Sequence, residues 1–435
     1  MKGSDRTDDR IYFVIDLKSF FASVECVERG LDPMNTLLAV ADPERSDKTV
    51  CLAVTPAMKR LGVKNRCRVF EIPKNIDYIM APPRMKLYID YSARIYSIYL
   101  RYFSANDMHI YSIDEVFIDI THYISLYRKS PYELANFVMD GIFAETGIRA
   151  TCGIGTNMYL AKIALDITAK HSPDFIGFLD EDTYRRTLWD HKPLTDFWRI
   201  GKGTAARLEK YCIFTMRQIA NCPEDLIYRL FGIDGELLID HAWGRETATI
   251  ADIKAYTGKT SSISSGQVLP RDYDNAETVI ILKEMVDSLS LSLVEKGFVT
   301  ESVGLNIGYS SKENLSDSHG TRSLRFGTSA SSLLTEAVLD IFSRISEKHA
   351  KIRRINISFN NIHTEQNIQY DIFSDIEALD REKRLQTAII SIKHRFGKNS
   401  VLKGINFEPA ATMRTRNRQI GGHKSGEYEQ KPKAD

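Results

Sequence analysis

Residues 111–121, YSIDEVFIDIT, set two acidic side chains next to each other in a run that otherwise has the pattern of a buried strand. The flanking residues are β-branched or aromatic, so the segment predicts a strand, a tight turn and a second strand, with Asp114 and Glu115 at the tip. Two anions this close repel each other at low dielectric, and a divalent cation held by oxygen ligands relieves that repulsion. For the pair alone a solvated hairpin turn is an equal alternative, because acidic residues favour turns.

A second acidic strand lies near the N-terminus. The apolar run Ile11 to Ile15 ends in Asp16 and is followed by the helix-like stretch SFFASVECVE. An acid at the carboxyl end of a buried strand stands where α/β sheets usually build ligand sites. Asp16, Asp114 and Glu115 together would suit two Mg²⁺ ions roughly 3.5 to 4 Å apart, the arrangement used for phosphoryl and nucleotidyl transfer.

Length and composition constrain the class of protein. The 435 residues suggest two to four domains, and 43% hydrophobic residues are enough for real cores. The net charge of +1 means that any nucleic-acid affinity must come from local patches. The six cysteines show no metal-binding spacing, so we expect reduced thiols, no zinc and no disulfide. A polar N-terminus and the lack of a long apolar run predict a cytoplasmic protein without membrane contact.

Four short motifs occur in one order along the chain: IDLKSFFASVE, YSIDEVFIDIT, CGIGTNMYLAKIALDITAK and RIGKGTAARLEKY. Together they resemble a Y-family translesion DNA polymerase, nearest the UmuC-like branch of bacterial DNA repair and SOS mutagenesis, over roughly residues 10 to 425. The resemblance implies an α+β multidomain, right-hand polymerase. Its expected parts are a palm (11–30 and 76–170), small fingers (31–75), a helical thumb with a helix-hairpin-helix (171–250), a linker (251–266), a little finger (267–410) and a flexible tail (411–435).

The last domain resembles the family's little finger, and its element order predicts a ferredoxin-like sheet. After the Ser-, Thr- and Gly-rich linker, the pattern reads β-α-β-β-α-β, the order of a ferredoxin-like sheet.

The resemblance assigns roles in the catalytic site. Asp16 and Asp114 would bridge two Mg²⁺ ions, with Mn²⁺ as a substitute, and Glu115 would complete the site near the primer hydroxyl. The backbone carbonyl of Leu17 would add a metal ligand. Lys18 stands where many relatives carry Asp or Asn, an exchange that should remove no metal ligand.

The nucleotide pocket is expected to include Phe20, Phe21, Lys59 and Lys162. Phe21 would sit under the incoming sugar and collide with a 2′-hydroxyl, while Phe20 points toward the core, because successive helical residues lie about 100° apart. Lys59 and Lys162 match basic residues that grip the triphosphate in relatives. Many relatives have a tyrosine where this chain has Pro56, which offers neither hydroxyl nor amide hydrogen. The alternatives are that both phenylalanines are core residues and that Lys162 is solvated.

The expected DNA contacts are of two kinds. In the thumb, the turn and helix start at Gly201, Lys202, Gly203 and Thr204 can bind one phosphate, although such helix pairs also occur as plain packing. The preceding glycine of the family pattern is Arg199 here. In the little finger, four arginines could form a basic face toward the template duplex, or a merely solvated one: Arg322, Arg325, Arg353 and Arg354.

A short segment of the last domain, QYDIFSD, resembles the peptide that bacterial polymerases insert into the sliding clamp. Gln369 would donate a hydrogen bond, and Ile372 with Phe373 would fill an apolar pocket. A short edge segment is the competing interpretation. A dimeric activating subunit is a further possible partner.

The function predicted from these residues is template-directed addition of dNTPs to a primer 3′-hydroxyl on DNA, with low fidelity, lesion bypass and no proofreading. Two other classes of protein share some of these features. A non-catalytic, clamp-tethered DNA-binding scaffold is disfavoured by the intact acids, and a palm-type nucleotidyl cyclase would not need the helix-hairpin-helix unit or the last domain.

Overall fold

The computed structural model describes residues 10–258, 261–365 and 375–426. The chain divides into two compact units, with one boundary between residues 257 and 258 and a second between residues 422 and 423. The chain after residue 422 therefore belongs to the first unit. None of the described helices is long and apolar enough to cross a membrane.

The first unit alternates strands and helices before it becomes helical. Its strands are β1 (Tyr12–Leu17), β2 (Leu38–Val40), β3 (Ala53–Val54), β4 (Ile79–Ala81), β5 (Met108–Ile110), β6 (Glu115–Asp119), β7 (Ala150–Gly155) and β8 (Ile176–Leu179). Its helices are α1 (Phe20–Val27), α2 (Pro56–Arg60), α3 (Met85–Tyr99), α4 (Thr121–Tyr127), α5 (Pro131–Thr146), α6 (Met158–Ile163), α7 (Glu181–Thr187), α8 (Lys202–Glu209), α9 (Met216–Ala220), α10 (Glu224–Phe231), α11 (Asp234–Trp243) and α12 (Ile250–Ala255).

The main sheet of the first unit has the strand order β5-β6-β1-β7-β8. The central strand β1 is antiparallel to both neighbours, and its register places Asp16 opposite Glu115 on β6 and opposite Thr151 on β7. β5, the turn at residues 111–114 and β6 form the predicted strand-turn-strand. Asp16 on β1 and Glu115 on β6 therefore lie at the same end of the sheet.

Helix packing fixes the geometry on both faces of this sheet. α5 begins with a capping box between Ser130 and Glu133 and covers one face with buried apolar residues. On the other side, α6 lies so close to β7 that a Cβ added at Gly153 or Gly155 would overlap the backbone of Ala161. The glycines of the CGIGT motif therefore allow α6 to pack closely against β7.

Two further parts complete the first unit. A small sheet with the order β3-β2-β4 packs with α2 around a separate apolar cluster that includes Met58. Helices α7 to α11 belong to a third cluster with Leu208, Met216 and Ile227 in its core. The two parts match the expected positions of fingers and thumb.

The second unit is one antiparallel sheet with two helices against it. Its elements are β9 (Ser262–Tyr273), α13 (Asn275–Lys296), β10 (Phe298–Tyr309), β11 (Ser318–Thr328), α14 (Ser331–Ile345), β12 (Ile352–Asn360), β13 (His363–Thr364), α15 (Ile376–Phe396), α16 (Met413–Arg416) and β14 (Gln419–Ile420). The element order is the predicted one. The sheet order β11-β10-β12-β9 puts the second and fourth strands of the domain in the centre, whereas a ferredoxin-like sheet has its first and third strands there.

The predicted linker at 251–266 is partly regular structure. α12 begins with a capping box between Thr249 and Asp252 and buries Ile250, and β9 begins at Ser262. The polar composition concealed both elements, because a capping box and an exposed edge strand need few apolar residues.

The predicted flexible tail is also wrong for residues 411–426, which carry α16, β14 and the short strand β15 (His423–Lys424). The buried carboxylate of Glu284 accepts hydrogen bonds from the backbone N–H groups of Thr412 (2.8 Å) and Met413 (3.1 Å). Farther on, Ser425 is buried and its carbonyl accepts from the backbone N–H of Lys86 at 2.9 Å. Partners distant in sequence hold this polar segment, so local composition does not reveal its order.

Candidate active site

Three carboxylates meet at one end of the main sheet. Asp16 is the fifth residue of β1, Asp114 is the last residue of the turn, and Glu115 begins β6. The backbone N–H of Leu17 donates to the carbonyl of Asp114 at 3.0 Å, which ties the turn to β1. Ser112 Oγ donates to Asp114 Oδ1 at 2.6 Å. The structure therefore brings together the acids that the sequence predicted as a site.

The electrostatics of this cluster favour a bound cation. Burial raises the pKa of Asp16 to about 7; Lys170 opposes that rise, and the carboxylates of Asp114 and Glu115 add to it. Burial also raises the pKa of Glu115, against the effect of Lys162. Crowded, desolvated carboxylates are costly to keep ionised unless positive charge is close.

The donor set fits a hard divalent cation, because it consists of oxygen atoms only. Within the residues that the structure describes, no group of three or more Asp, Glu, His or Cys side chains is arranged to hold a metal ion by itself. Glu115 faces Lys162 and Asp114 accepts from Ser112. An open arrangement suits Mg²⁺, which usually takes only one or two carboxylates together with waters and substrate phosphates.

Lys162 is held inside the cluster. Its side chain is 9% exposed, and its Nζ lies 2.8 Å from Glu115 Oε1 and 3.0 Å from Asp166 Oδ2. Burial acts to lower the pKa of Lys162, but the two carboxylates outweigh it and the pKa is raised. The lysine is thus not solvated, and one of its two partners is a candidate metal ligand.

Lys170 is a residue that the sequence analysis missed. It lies beyond a π-helical turn at Ala164–Thr168, its side chain is 41% exposed, and its Nζ bonds to Asp166 Oδ1 at 2.7 Å. Among neighbouring charges it has the largest effect on the pKa of Asp16. The motif LAKIALDITAK contains both Lys162 and Lys170, and the π-helical turn lies between them.

Two more lysines approach the acids. Burial lowers the pKa of Lys59, and Asp16 opposes this. Burial also lowers the pKa of Lys18 to about 8, with Lys59 as the next cause. The ammonium of Lys18 lies 3.8 Å from the ring centroid of Phe175. The acidic end of the sheet is therefore bordered by several cations.

The two phenylalanines of α1 differ in exposure. Phe20 is 2% exposed and belongs to the main core, which confirms its predicted direction toward the core. Its inclusion among the nucleotide-binding residues stays a prediction. Phe21 is partly buried and stacks on Tyr88, with ring centroids 4.7 Å apart. Its role as a sugar gate stays a prediction.

The thumb turn has the open geometry expected of a phosphate contact. Gly201 caps α8, and a Cβ added at Gly201 or Gly203 would meet nothing within 4 Å. Arg199 has φ 69°, the left-handed conformation that glycine favours, and its guanidinium lies 4.9 Å from the Trp198 ring. The arginine therefore adopts the backbone that the family pattern assigns to glycine. Contact of Lys202 and Thr204 with DNA stays a prediction.

The arginines of the second unit have acidic neighbours. Arg322 lies 3.5 Å from Glu336 and 3.4 Å from Asp340. Arg354 pairs with Asp317 at 3.0 Å, and a weaker pair joins Arg353 to an aspartate. Arg325 lies on β11 with Arg322. The clamp-binding residues Gln369, Ile372 and Phe373 lie outside the described residues.

Comparison with known proteins decides the family. Residues 15–166 match the impB/mucB/samB family model, and residues 260–372 match the model of the C-terminal domain of that family. The chain is 31% identical over 415 residues to UvrX of Bacillus subtilis (strain 168), whose name describes UV-damage repair; the match covers 94% of this chain and 97% of UvrX. This chain belongs to the impB/mucB/samB family of Y-family DNA polymerases.

Other comparisons agree with that assignment. The "DNA polymerase IV 2" of Halalkalibacterium halodurans is 28% identical over 417 residues, covering 95% of this Y-family chain and 99% of the relative. In fold, the chain is similar to a "Y-family DNA polymerase chimera Dbh-Dpo4(243-245)-Dbh" with a TM-score of 0.64 and 20% identity, over 82% of this chain and 100% of the chimera. The predicted family, right-hand fold and enzyme class, a DNA-directed DNA polymerase, are confirmed. Membership implies dependence on a divalent metal, and the UmuC-like branch stays a prediction.

Proposed function

We propose that this Y-family protein extends the 3′-hydroxyl of a DNA primer with dNTPs on a DNA template, at low fidelity and across lesions. The observation that carries the proposal is the convergence of Asp16, Asp114 and Glu115 at one end of the palm sheet, with cations at its border. Relatives named DNA polymerase IV and UvrX support it.

The metal site that we propose consists of Asp16, Asp114, Glu115 and the backbone carbonyl of Leu17, holding two Mg²⁺ ions for which Mn²⁺ can substitute. When bound, such ions activate the attacking hydroxyl and neutralise charge on the triphosphate. The chain itself contributes the oxygen ligands and their orientation. The pair between Lys162 and Glu115 opposes the rise that burial causes in the pKa of that carboxylate.

The triphosphate contacts that we propose are Lys59 and Lys170. Lys170 replaces Lys162 in this role, because its side chain is the more exposed of the two and its ion pair with Asp166 can open toward a ligand. Phe21 would close the pocket under the deoxyribose. Its stacking on Tyr88 gives the ring one fixed orientation, which a steric gate requires.

The DNA contacts that we propose are the Gly201–Thr204 turn of the thumb and the arginine-bearing sheet of the second unit. Both would bind backbone phosphates, so affinity should fall steeply with salt and depend little on sequence. Lack of proofreading, clamp binding, an accessory subunit and a cytoplasmic, nucleoid-associated location stay predictions of the same proposal.

The test is primer extension with single dNTPs and Mg²⁺ on a damaged and an undamaged template. Wild type should extend both primers, and Asp114→Asn should extend neither. Asp119→Asn is the matched control, because Asp119 lies at the far end of β6, the strand that follows Asp114. If wild type binds primed DNA but adds no nucleotide, even with the sliding clamp present, the polymerase proposal is wrong and the scaffold account takes its place.

A further inference from the structure

Trp198 connects the helical part of the first unit to the sheet that carries the acids. It packs against two apolar clusters, the thumb cluster that includes Leu208 and a palm cluster that includes Phe117. Its indole Nε1 donates to Tyr111 Oη at 3.1 Å. We propose that Trp198 is a positioning residue, which acts through Tyr111 on the turn that carries Asp114. The inference rests on the proposed polymerase function, in which Asp114 is a metal ligand.

Three aromatic rings meet at this connection. The centroid of the Trp198 ring lies 5.8 Å from that of Phe117 and 6.0 Å from that of Tyr111, and Tyr111 contacts Phe117 edge-on at 5.5 Å. Phe117 is 2% exposed and lies on β6, the strand that begins with Glu115. Aromatic pairs prefer particular ring geometries, so these contacts restrict orientation as well as burying area. Because Tyr111 remains 46% exposed, they restrain a side chain that burial alone would not fix.

Tyr111 begins the turn that leads to the acids. The backbone N–H groups of Tyr111 and Ser112 donate to the carbonyl of Glu115 at 3.0 and 3.1 Å, and Ser112 Oγ donates to Asp114 Oδ1 at 2.6 Å. The ammonium of Lys162, which pairs with Glu115, lies 5.9 Å from the centroid of the Tyr111 ring. A displacement of Tyr111 would therefore reach both acids. A misplacement of about 1 Å in a catalytic group can cost a hundredfold in rate.

Trp198 also adjoins the turn proposed to bind a DNA phosphate. The next residue, Arg199, has the left-handed φ of 69°, and Gly201 caps α8 two residues later. The Arg199 guanidinium lies 4.9 Å from the centroid of the Trp198 ring. One side chain thus links the DNA-binding turn to the turn that carries Asp114, and so positions bound DNA relative to the metal ligands.

The first measurement is single-nucleotide insertion kinetics on primed DNA. Trp198→Phe and Tyr111→Phe each remove one partner of the hydrogen bond and keep an aromatic ring. Either change should lower kcat about twofold to tenfold, the effect of losing one neutral hydrogen bond, with KM for the dNTP unchanged. The double variant should lower kcat no further than the single variants, because both changes remove the same bond.

The matched control is Trp189→Phe. Trp189 Nε1 also donates a hydrogen bond, but to the carbonyl of Ala242 inside the thumb, at 2.7 Å. Its replacement should leave kcat unchanged. Wild-type kcat in both Trp198→Phe and Tyr111→Phe, or losses that add in the double variant, would overturn the role of Trp198.

The second measurement needs no catalysis. Hydrogen–deuterium exchange of the full-length protein should be faster at residues 111–115 in Trp198→Phe than in wild type or Trp189→Phe, and unchanged in β7. Faster exchange across the whole first unit would show general destabilisation and would overturn the positioning role, as would unchanged exchange at residues 111–115. Absence of primer extension by wild type would instead overturn the polymerase function, while exchange still decides whether Trp198 holds the turn.

Discussion

The palm sheet and the sheet of the second unit use charge in opposite ways. At the end of the palm sheet, carboxylates and a lysine are buried together, and burial shifts the pKa of Asp16 and Glu115 upward. On the second sheet the charges are exposed, and Arg322 and Arg354 lie beside acidic side chains. Buried charge carries a large desolvation cost that needs a functional explanation, whereas an exposed ion pair contributes little and needs none.

This difference explains why the sequence pointed to one role for the acids of the palm but left two roles open for the arginines of the second unit. Asp114 and Glu115 stand out in the sequence because they interrupt an apolar strand. Arginines on an exposed strand fit a DNA-binding face and an ordinary solvated face equally well. The predictions below test whether charge is essential in the palm and dispensable in the second unit, beginning with the largest expected effect.

Glu115→Gln should lower kcat for nucleotide insertion by roughly a thousandfold or more, because charge stabilisation by a held metal is worth several kcal/mol. The fold should survive, since the substitution is nearly isosteric and Lys162 keeps Asp166 as a partner. Insertion kinetics and thermal unfolding measure the two effects. Asp340→Asn, which removes an exposed partner of Arg322 in the second unit, is the control and should leave kcat unchanged. An equal loss of kcat in Glu115→Gln and Asp340→Asn would show that charge in the palm is no more important for catalysis than charge in the second unit.

Lys162→Met should lower the free energy of unfolding by about 3 to 5 kcal/mol, because it leaves buried carboxylates without their cation. Lys170→Met should lower it by less than about 1 kcal/mol, since its pair with Asp166 is largely exposed. KM for the dNTP should change in the opposite order, so that Lys170→Met raises it more than Lys162→Met does. Urea unfolding and insertion kinetics measure these quantities. A larger KM effect for Lys162→Met would reinstate Lys162 as the phosphate contact.

Glu25 is a buried carboxylate outside the acidic cluster, and its contribution to the stability of the fold should depend on pH. Burial acts to raise the pKa of Glu25, but hydrogen bonds from Arg84, Arg29 and Tyr88 outweigh it and leave the pKa below its ordinary value. Arg84 Nε donates to Glu25 Oε1 at 2.9 Å, and Tyr88 Oη donates to the same oxygen at 2.7 Å. A depressed folded-state pKa stabilises the fold above the unfolded pKa of about 4.3, and that stabilisation is lost as pH falls through the folded value.

Glu25→Gln should therefore destabilise the protein by about 3 kcal/mol at pH 7, and the difference from wild type should shrink as the pH falls below about 4. Denaturant unfolding across this pH range measures it. Glu145→Gln, which removes an exposed partner of Arg101 in the same unit, should show almost no difference at any pH. A pH-independent difference for Glu25→Gln would mean that packing, and not charge, stabilises this position.

The sequence predicted the elements that are determined by interactions between residues close together in the chain. Apolar periodicity in the sequence determines α5 (Pro131–Thr146) and α14 (Ser331–Ile345), and a proline and a capping box mark the start of α5. The acidic turn was predictable because a carboxylate pair in an apolar run is rare. The direction of Phe20 followed from helical periodicity alone.

The parts that escaped prediction depend on distant partners. The burial of Lys162 could not be predicted, because it depends on Glu115, a residue of another strand, and on a π turn that sequence periodicity does not show. Residues 411–426 are ordered by Glu284 and by contacts of Ser425 with the start of α3. Neither set of contacts leaves a local signal, so the ion pairs of Lys162 were not foreseen and composition favoured flexibility for residues 411–426.

The smallest expected effect lies in the second unit. Arg322→Ala should change the free energy of unfolding by less than about 1 kcal/mol, because its ion pairs are exposed and longer than 3 Å. If Arg322 neutralises one phosphate, the slope of log K for primed DNA against log salt should become shallower by about 1, equally on unrelated sequences. Arg344→Ala is the matched control, because Arg344 pairs with the same Asp340 at 3.0 Å but from helix α14. A slope that changes in both variants, or in neither, would remove Arg322 from the DNA-binding face and leave the second sheet with a solvated surface there.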